Sequence, residues 1–69
     1  MNNAINQIRH KIKIGQSIEM QGNIHRVRIP IPKDCVIREL VDEINATEDL
    51  SGHLFTKDHH TLTFMIGVA

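Results

Sequence analysis

Residues 24–46, IHRVRIPIPKDCVIRELVDEINA, decide the fold because their apolar period changes within a few positions. The first part alternates as a strand with one buried face does. One predicted face carries His25, Val27, Ile29 and Ile31, and the other carries Ile24, Arg26 and Arg28. After the two prolines the apolar residues recur at helical spacing, at Ile37, Leu40, Val41 and Ile44. Since proline donates no backbone hydrogen bond, the strand should finish there, and an amphipathic helix should follow over residues 34–46.

The start of this helix raises the question of a reactive thiol. Asp34 suits both an N-cap and the positive end of the helix dipole. Cys35 would then take the first helical position, where the dipole can lower a thiol pKa. A nucleophilic thiol also needs a neighbouring base, and the sequence identifies none. We therefore interpret Cys35 as a small, partly buried residue.

A β-hairpin is predicted on each side of the helix. In the first, over residues 16–31, Ile18 and Met20 alternate with polar residues, and Gln21-Gly22-Asn23 supplies the turn. In the second, Leu54-Phe55-Thr56 leads through a turn at residues 57–60 into a long last strand. That last strand should direct Leu62, Phe64, Ile66 and Val68 to one side, and Thr61, Thr63 and Met65 to the other.

Residues 1–14 are predicted to form an N-terminal helix or arm. Ile5, Ile8 and Ile12 fall on one helical stripe, Asn2 or Asn3 can cap the helix, and Gly15 stops it. The fold class is therefore α+β. We expect a short N-terminal helix, then β-β-α-β-β, with one helix packed on a mainly antiparallel four-stranded sheet. Residues 1–69 should form a single domain with its core in 16–68. The sequence leaves open whether the first helix packs on its own sheet or on a neighbouring molecule.

Length and composition limit the class of protein. A chain of 69 residues buries a thin core and often needs a partner subunit, a metal or disulfides. Its single cysteine forms no internal disulfide, which indicates a reducing compartment. The sequence contains no run of about 20 apolar residues and begins without an apolar signal segment. We therefore expect a cytoplasmic protein with no membrane contact.

Charge is distributed unevenly although the net charge is zero. Residues 1–33 contain six basic residues and one acidic residue, whereas residues 34–69 contain two basic and seven acidic residues. The first part therefore carries +5 and the second −5. If the halves pack side by side, this polarity suits head-to-tail association or a charged partner. The alternative is that the halves neutralise each other within one fold.

No pattern of catalytic or cofactor-binding residues stands out. The chain lacks a phosphate-binding glycine loop, a Ser/His/Asp arrangement and the spacings typical of zinc ligands. We interpret its histidines as residues that titrate near neutrality, mostly exposed in turns, and not as metal ligands. They are His10, His25, His53, His59 and His60. We expect no metal, no cofactor and no enzymatic activity.

Basic residues in the first half make nucleic-acid binding a rival prediction. Such residues give salt-sensitive contacts to phosphates. The candidates for binding a partner are Arg9, Lys11, Lys13, Arg26 and Arg28. Against this prediction, the overall charge is neutral, and the only large aromatic residues are Phe55 and Phe64, which we place in the core.

The run from Ile18 to Phe64, about two-thirds of the chain, resembles a hairpin–helix–hairpin module of bacteriophage virion (tail or capsid) and flagellar hook-associated proteins. The resemblance is carried by Gly22-Asn23, the strand from Val27 to Pro32, Ile44-Asn45-Ala46, Gly52 and Thr61-Leu62-Thr63-Phe64. It departs at the second turn, where Asp58-His59-His60 replaces the usual Asp-Gly or Asn-Gly. The resemblance implies a structural protein without an active site.

The order of elements is also similar to the β-grasp fold of ubiquitin-like and sulfur-carrier proteins. Ile29-Pro30 leading into residues 36–40 is similar to their junction between strand and helix. Those carriers act through a C-terminal Gly-Gly, whereas this chain ends Gly67-Val68-Ala69. The resemblance therefore implies the fold without the carrier chemistry.

These observations predict a small assembly protein of bacteriophage virion type, located in the host cytoplasm or associated with the virion. It should form homo-oligomers through Ile5, Ile8 and Ile12, with open sheet edges pairing between copies. The alternative is a small phage or bacterial regulator or inhibitor, which binds a host protein or nucleic acid through its basic N-terminal half.

Overall fold

The computed structural model describes residues 3–69 and has the predicted α+β architecture. In chain order the elements are α1 (Asn3–Lys13), β1 (Ile18–Gln21), β2 (Ile24–Pro30), α2 (Ile37–Ala46), β3 (Leu50–Lys57) and β4 (Thr61–Val68). The strands form one antiparallel sheet in the order β1-β2-β4-β3. Strands from the first half of the sequence therefore lie beside strands from the second half.

Both helices pack on one side of the sheet, which we call the inner face. Helix α1 lies against β2, and α2 lies against β3. Between the helices and the sheet lies the hydrophobic core, which Phe64 fills as its largest fully buried side chain. The core consists of Ala4, Ile8, Val27, Ile29, Leu40, Ile44, Leu50, Leu62, Phe64 and Ile66. The faces predicted for β2 and β4 are confirmed, since alternate residues of each strand enter this core.

Helix α1 ends at the predicted glycine. Gly15 has a φ of +75°, a backbone conformation that residues with a Cβ rarely adopt. The Gln16 N–H donates to the Lys11 carbonyl at 2.8 Å, and the Gly15 N–H donates to the Ile12 carbonyl at 3.3 Å. These two bonds satisfy carbonyls at the end of the helix. The predicted cap from Asn2 falls outside the described residues, and Asn3 is already the first residue of α1.

Helix α2 begins at Ile37, and the predicted start at Asp34 is wrong. Asp34 has a φ of +58°, which is incompatible with a helical cap, although a short polar residue tolerates this conformation. Val36 occupies the N-cap position without a side-chain hydrogen bond. Cys35 therefore lies in the loop before the helix, so the argument for a dipole-activated thiol loses its geometric basis. The helix ends at Ala46, as predicted.

The second hairpin is longer than predicted. Strand β3 begins at Leu50, opposite Val68, and not at Leu54. The hairpin turn is closed by Asp58, whose carboxylate accepts hydrogen bonds from the backbone N–H groups of His60 and Thr61 and from the Thr61 hydroxyl. These bonds lower the pKa of Asp58 to about 2. The second hairpin is thus closed by an aspartate-based turn.

Candidate interaction surfaces

The side of the sheet opposite the helices is the first candidate surface, and we call it the open face. Directly paired residues of antiparallel strands project to the same side. The register pairs Ile18 with Arg26, Arg26 with Met65, and Met65 with His53. The open face consists of Ile18, Gln21, Ile24, Arg26, Arg28, Pro30, Ser51, His53, Phe55, Thr56, Thr61, Thr63, Met65 and Gly67.

Phe55 lies on the open face, so its predicted place in the core is wrong. Its side chain is 49% exposed, whereas Phe64 is buried as predicted. Leu54 packs against the core, so alternation along β3 directs its neighbour Phe55 to the open face. A β-bulge between Leu54 and Thr56 then places Thr56 on the same side, opposite Thr63. The sequence contains no signal for this bulge, because Leu54-Phe55-Thr56 is compatible with regular alternation.

Arg26 spans the open face from β2 to β3. Its guanidinium carbon lies 4.8 Å from the centroid of the Phe55 ring, the geometry of a cation–π contact. The intervening Thr63 on β4 is only 6% exposed, although no helix covers this side of the sheet. Within residues 3–69, Arg26 Nε is buried without a hydrogen-bond partner. The aromatic ring therefore holds this cation in place, and within residues 3–69 no carboxylate forms an ion pair with it.

A shallow depression lies beside these residues on the open face. Its cavity volume is about 360 Å³, and its lining includes Ile24, His53 and Met65. Gly67 forms part of its floor, where an added Cβ would come within 2.9 Å of Ser51 Oγ. The missing side chain at Gly67 thus keeps the depression open.

Strand β1 is the second candidate surface, because within residues 3–69 it lies at one edge of the sheet and pairs with β2 alone. All four of its residues are exposed. Ile18 is 58% exposed and Met20 is 44% exposed, and the neighbouring Ile14 and Ile24 are exposed as well. We call this strand with its exposed apolar neighbours the β1 edge.

The opposite edge of the sheet, at β3, is partly covered by a side chain. Asn45 Nδ2 donates to the Gly52 carbonyl at 2.8 Å, and the Gly52 N–H donates to Asn45 Oδ1 at 3.0 Å. A further bond from Asn45 Nδ2 to the Val41 carbonyl fixes this amide on α2. The Asn45 side chain therefore occupies the hydrogen-bonding groups that a neighbouring strand would use at Gly52.

The five basic residues predicted to bind a partner are divided between two sides of the molecule. Arg9 forms an ion pair with Asp49 at 2.6 Å. Lys11 donates a hydrogen bond to the Arg28 backbone carbonyl, and Lys13 is exposed on α1. Only the side chains of Arg26 and Arg28 belong to the open face. The chain thus has no single basic surface formed by all five residues.

The stripe predicted for self-association packs on the sheet of its own chain. Ile8 is completely buried in the core, and Ile5 and Ile12 are partly buried against it. A second copy cannot reach Ile8 while α1 stays in this position. Self-association must therefore use another surface in this conformation.

A cleft between α1 and the start of α2 contains Cys35. Its volume is about 480 Å³, and Gln7, Lys33 and Glu39 contribute to its lining. Burial raises the pKa of the Cys35 thiol, and the negative charges of Glu39 and Glu43 raise it further. The structure gives no lowering by a helix dipole, and the interpretation of Cys35 as a partly buried residue is confirmed.

The histidines lie at separate places in the fold. His25 Nδ1 and Ser17 Oγ share a hydrogen bond of 3.0 Å, while the ring centroids of His59 and His60 are 6.4 Å apart in the second turn. Among residues 3–69, no three His, Cys, Asp or Glu side chains are grouped closely enough to hold a metal ion. In the same range, neither helix is long and apolar enough to cross a membrane.

Comparison with known proteins gives no assignment. No protein-family model matches this chain, and neither do the curated proteins or the solved structures compared with it. The resemblance to virion and hook-associated proteins therefore stays a prediction, and the surfaces described above carry the functional argument.

Proposed function

We propose that this chain is a non-enzymatic assembly module that acts through protein–protein contacts at its β1 edge. The observation that carries the proposal is the difference between the two edges of the sheet. β1 presents exposed apolar side chains and pairs on one side only, whereas Asn45 occupies the β3 edge at Gly52. An edge strand with exposed apolar side chains is a template for a strand from another polypeptide, although β1 is short and its register shifts between Glu19 and Gln21.

The partner that fits this edge is a second copy of the chain. Two β1 strands can pair antiparallel about a two-fold axis, which gives a closed dimer with an eight-stranded sheet. Head-to-tail pairing would instead need the β3 edge, whose groups at Gly52 are already bonded to Asn45. The polarised charge favours the head-to-tail arrangement, but the hydrogen-bonding groups favour the two-fold one.

Charge gives the two arrangements opposite salt dependences. A two-fold dimer brings the two basic halves together, so salt that screens their repulsion strengthens association. A head-to-tail contact joins a basic half to an acidic half, so the same salt weakens it. The response to ionic strength thus distinguishes the two arrangements.

The role as a bacteriophage virion component belongs to this proposal and is supported by the resemblance in element order. Two motifs of that resemblance have a physical role here. Ile44-Asn45-Ala46 carries the amide that covers the β3 edge at one position, and Gly52 is the residue that this amide binds. A subunit with one open and one covered edge forms a defined pair and avoids uncontrolled polymerisation.

The test is molar mass by light scattering over a series of protein and salt concentrations. We expect the mass to rise from 7.9 kDa toward twice that value, and to rise further with salt. The double variant Ile18→Lys/Met20→Lys should stay monomeric, because lysines on an edge strand oppose pairing. Val36→Lys is the matched control, since Val36 is 55% exposed but lies beside α2. Its association should equal that of the unmodified chain.

Two results would contradict the proposal. One is a mass that stays at 7.9 kDa at every protein and salt concentration. The other is a double lysine variant that associates as strongly as the Val36→Lys control.

A further inference from the structure

The open face combines cationic and aromatic groups that the proposed assembly contact does not require. Arg26 and Phe55 form a stacked pair at its centre, Arg28 lies next to Arg26 on β2, and a depression opens beside them. We infer that the open face binds single-stranded nucleic acid, with Arg28 contacting phosphate and Phe55 and Arg26 stacking against bases.

Charge complementarity is the first argument for this ligand. The open face contains Arg26 and Arg28, and none of its residues has a carboxylate side chain. Asp58 is the carboxylate that influences this region through its attraction to Arg28. Its oxygens already accept hydrogen bonds within the hairpin turn. The face is therefore locally cationic in a chain of zero net charge and suits a polyanion.

The stacking pair is the second argument. Phe55 is half exposed, and the guanidinium of Arg26 lies over its ring. Nucleobases stack on aromatic rings and on guanidinium planes, so the pair offers adjacent platforms to a single strand. Bases inside a duplex do not expose their flat surfaces in this way. The depression next to Met65 provides room for a further flat ring.

Two other occupants fit the face less well. Two copies that packed through their open faces would repel each other, because the contact would bring the arginines of both copies together. An acidic peptide satisfies the charge of Arg28 but has no planar group that needs the exposed ring of Phe55. The exposed ring of Phe55 therefore favours nucleic acid over an acidic polypeptide as the ligand.

Fluorescence anisotropy of a labelled oligothymidine of about 15 nucleotides tests the inference. We expect binding at low salt that weakens steeply as salt rises. Arg28→Ala should weaken binding and make the slope of log affinity against log salt shallower by about 0.7, the value for one lost phosphate contact. Phe55→Leu keeps an apolar side chain but removes the stacking surface. It should lower the affinity roughly tenfold with little change in the slope.

Lys13→Ala is the control for charge alone, because Lys13 is an exposed cation on α1, on the other side of the sheet. Its affinity should stay close to that of the unmodified chain. Circular dichroism of each variant checks that the fold is retained. Since Arg28 and Phe55 are exposed, their replacement should leave the core intact.

Several results would overturn the inference. One is the absence of any anisotropy change at low salt. Another is equal loss of affinity in Lys13→Ala and Arg28→Ala, which would indicate unspecific attraction. A third is a combination of two observations. Polyglutamate of equal charge would displace the labelled oligothymidine as well as unlabelled oligothymidine does, and Phe55→Leu would bind with unchanged affinity. That combination would assign the face to an acidic polypeptide.

Discussion

Gly52 shows how one residue without a side chain joins three elements. A Cβ at this position would lie 2.7 Å from Ile66 Cδ1 and 2.8 Å from the Met65 carbonyl oxygen. The nearest helix atom, Ile44 Cγ2, would be 3.5 Å away. Glycine therefore allows α2 to approach the sheet closely enough for Asn45 to reach the backbone of β3.

Replacing this glycine should destabilise the protein measurably. We expect Gly52→Ala to lower the free energy of unfolding by about 1–3 kcal/mol, because the added methyl group meets backbone and packed core atoms. Gly67→Ala is the matched control on the neighbouring strand, where the close atom is the rotatable Ser51 Oγ at 2.9 Å. Urea denaturation of both variants measures the difference. Equal stability of Gly52→Ala and the unmodified chain would show that the contact is relieved easily.

Residues whose role is set by their own backbone could be predicted from the sequence. Gly15 and Gly22 both have positive φ values, as their positions after a helix and in a tight turn indicated. The left-handed conformation of Asp34, which leaves Cys35 in a loop, has no signal in the sequence. The exposure of Phe55 could have been predicted, because alternation from the core-facing Leu54 directs Phe55 to the open face.

At the scale of elements, α2 does more than cover the core. Its last turn carries Asn45, whose amide forms two hydrogen bonds with Gly52 and one with Val41. The apolar stripe predicted this helix, and Asn45 is exposed at its end, outside the stripe. Helical periodicity reports which side chains are apolar, and it does not report that a polar side chain lies over a strand.

Removal of this amide should change both stability and assembly. Asn45→Ala loses two hydrogen bonds to β3, so we expect a loss of about 1–3 kcal/mol in unfolding free energy. It also frees the β3 edge, so that β1 of another copy can pair there and larger polymers can grow. Light scattering should show masses well above that of a dimer.

Thr47→Ala is the control for this change. It removes the hydrogen bond from the Thr47 hydroxyl to the Glu43 carbonyl at the end of the same helix and leaves Gly52 untouched. This variant should keep the mass distribution of the unmodified chain. An Asn45→Ala protein that never exceeds that distribution would show that the amide does not control which edges pair.

The start of β3 illustrates the limit of strand prediction. Ser51, Gly52 and His53 carry no alternating apolar pattern, and glycine disfavours strands. They are nevertheless part of a strand, because β4 pairs with them on one side and Asn45 binds Gly52 on the other. The strong pattern of β4 was sufficient to predict that strand, whereas β3 depends on its neighbours.

For the whole molecule, the position of the β1 edge determines how the open faces are arranged in a dimer. An antiparallel pair of identical strands has its two-fold axis perpendicular to the sheet. Pairing through β1 therefore places both open faces on the same side of an eight-stranded sheet. If both proposals hold, a dimer presents two copies of the Arg26–Phe55 pair on one continuous surface.

Hydrogen exchange of backbone amides tests the central claim about the β1 edge most directly. Exchange is measured below and above the protein concentration at which the mass doubles. We expect the amides of β1 that point away from β2 to exchange more slowly once the dimer forms, and the amides of β3 to stay unchanged. If the mass doubles while β1 exchanges as fast as before, or while β3 becomes protected, the dimer uses another surface and the account is contradicted.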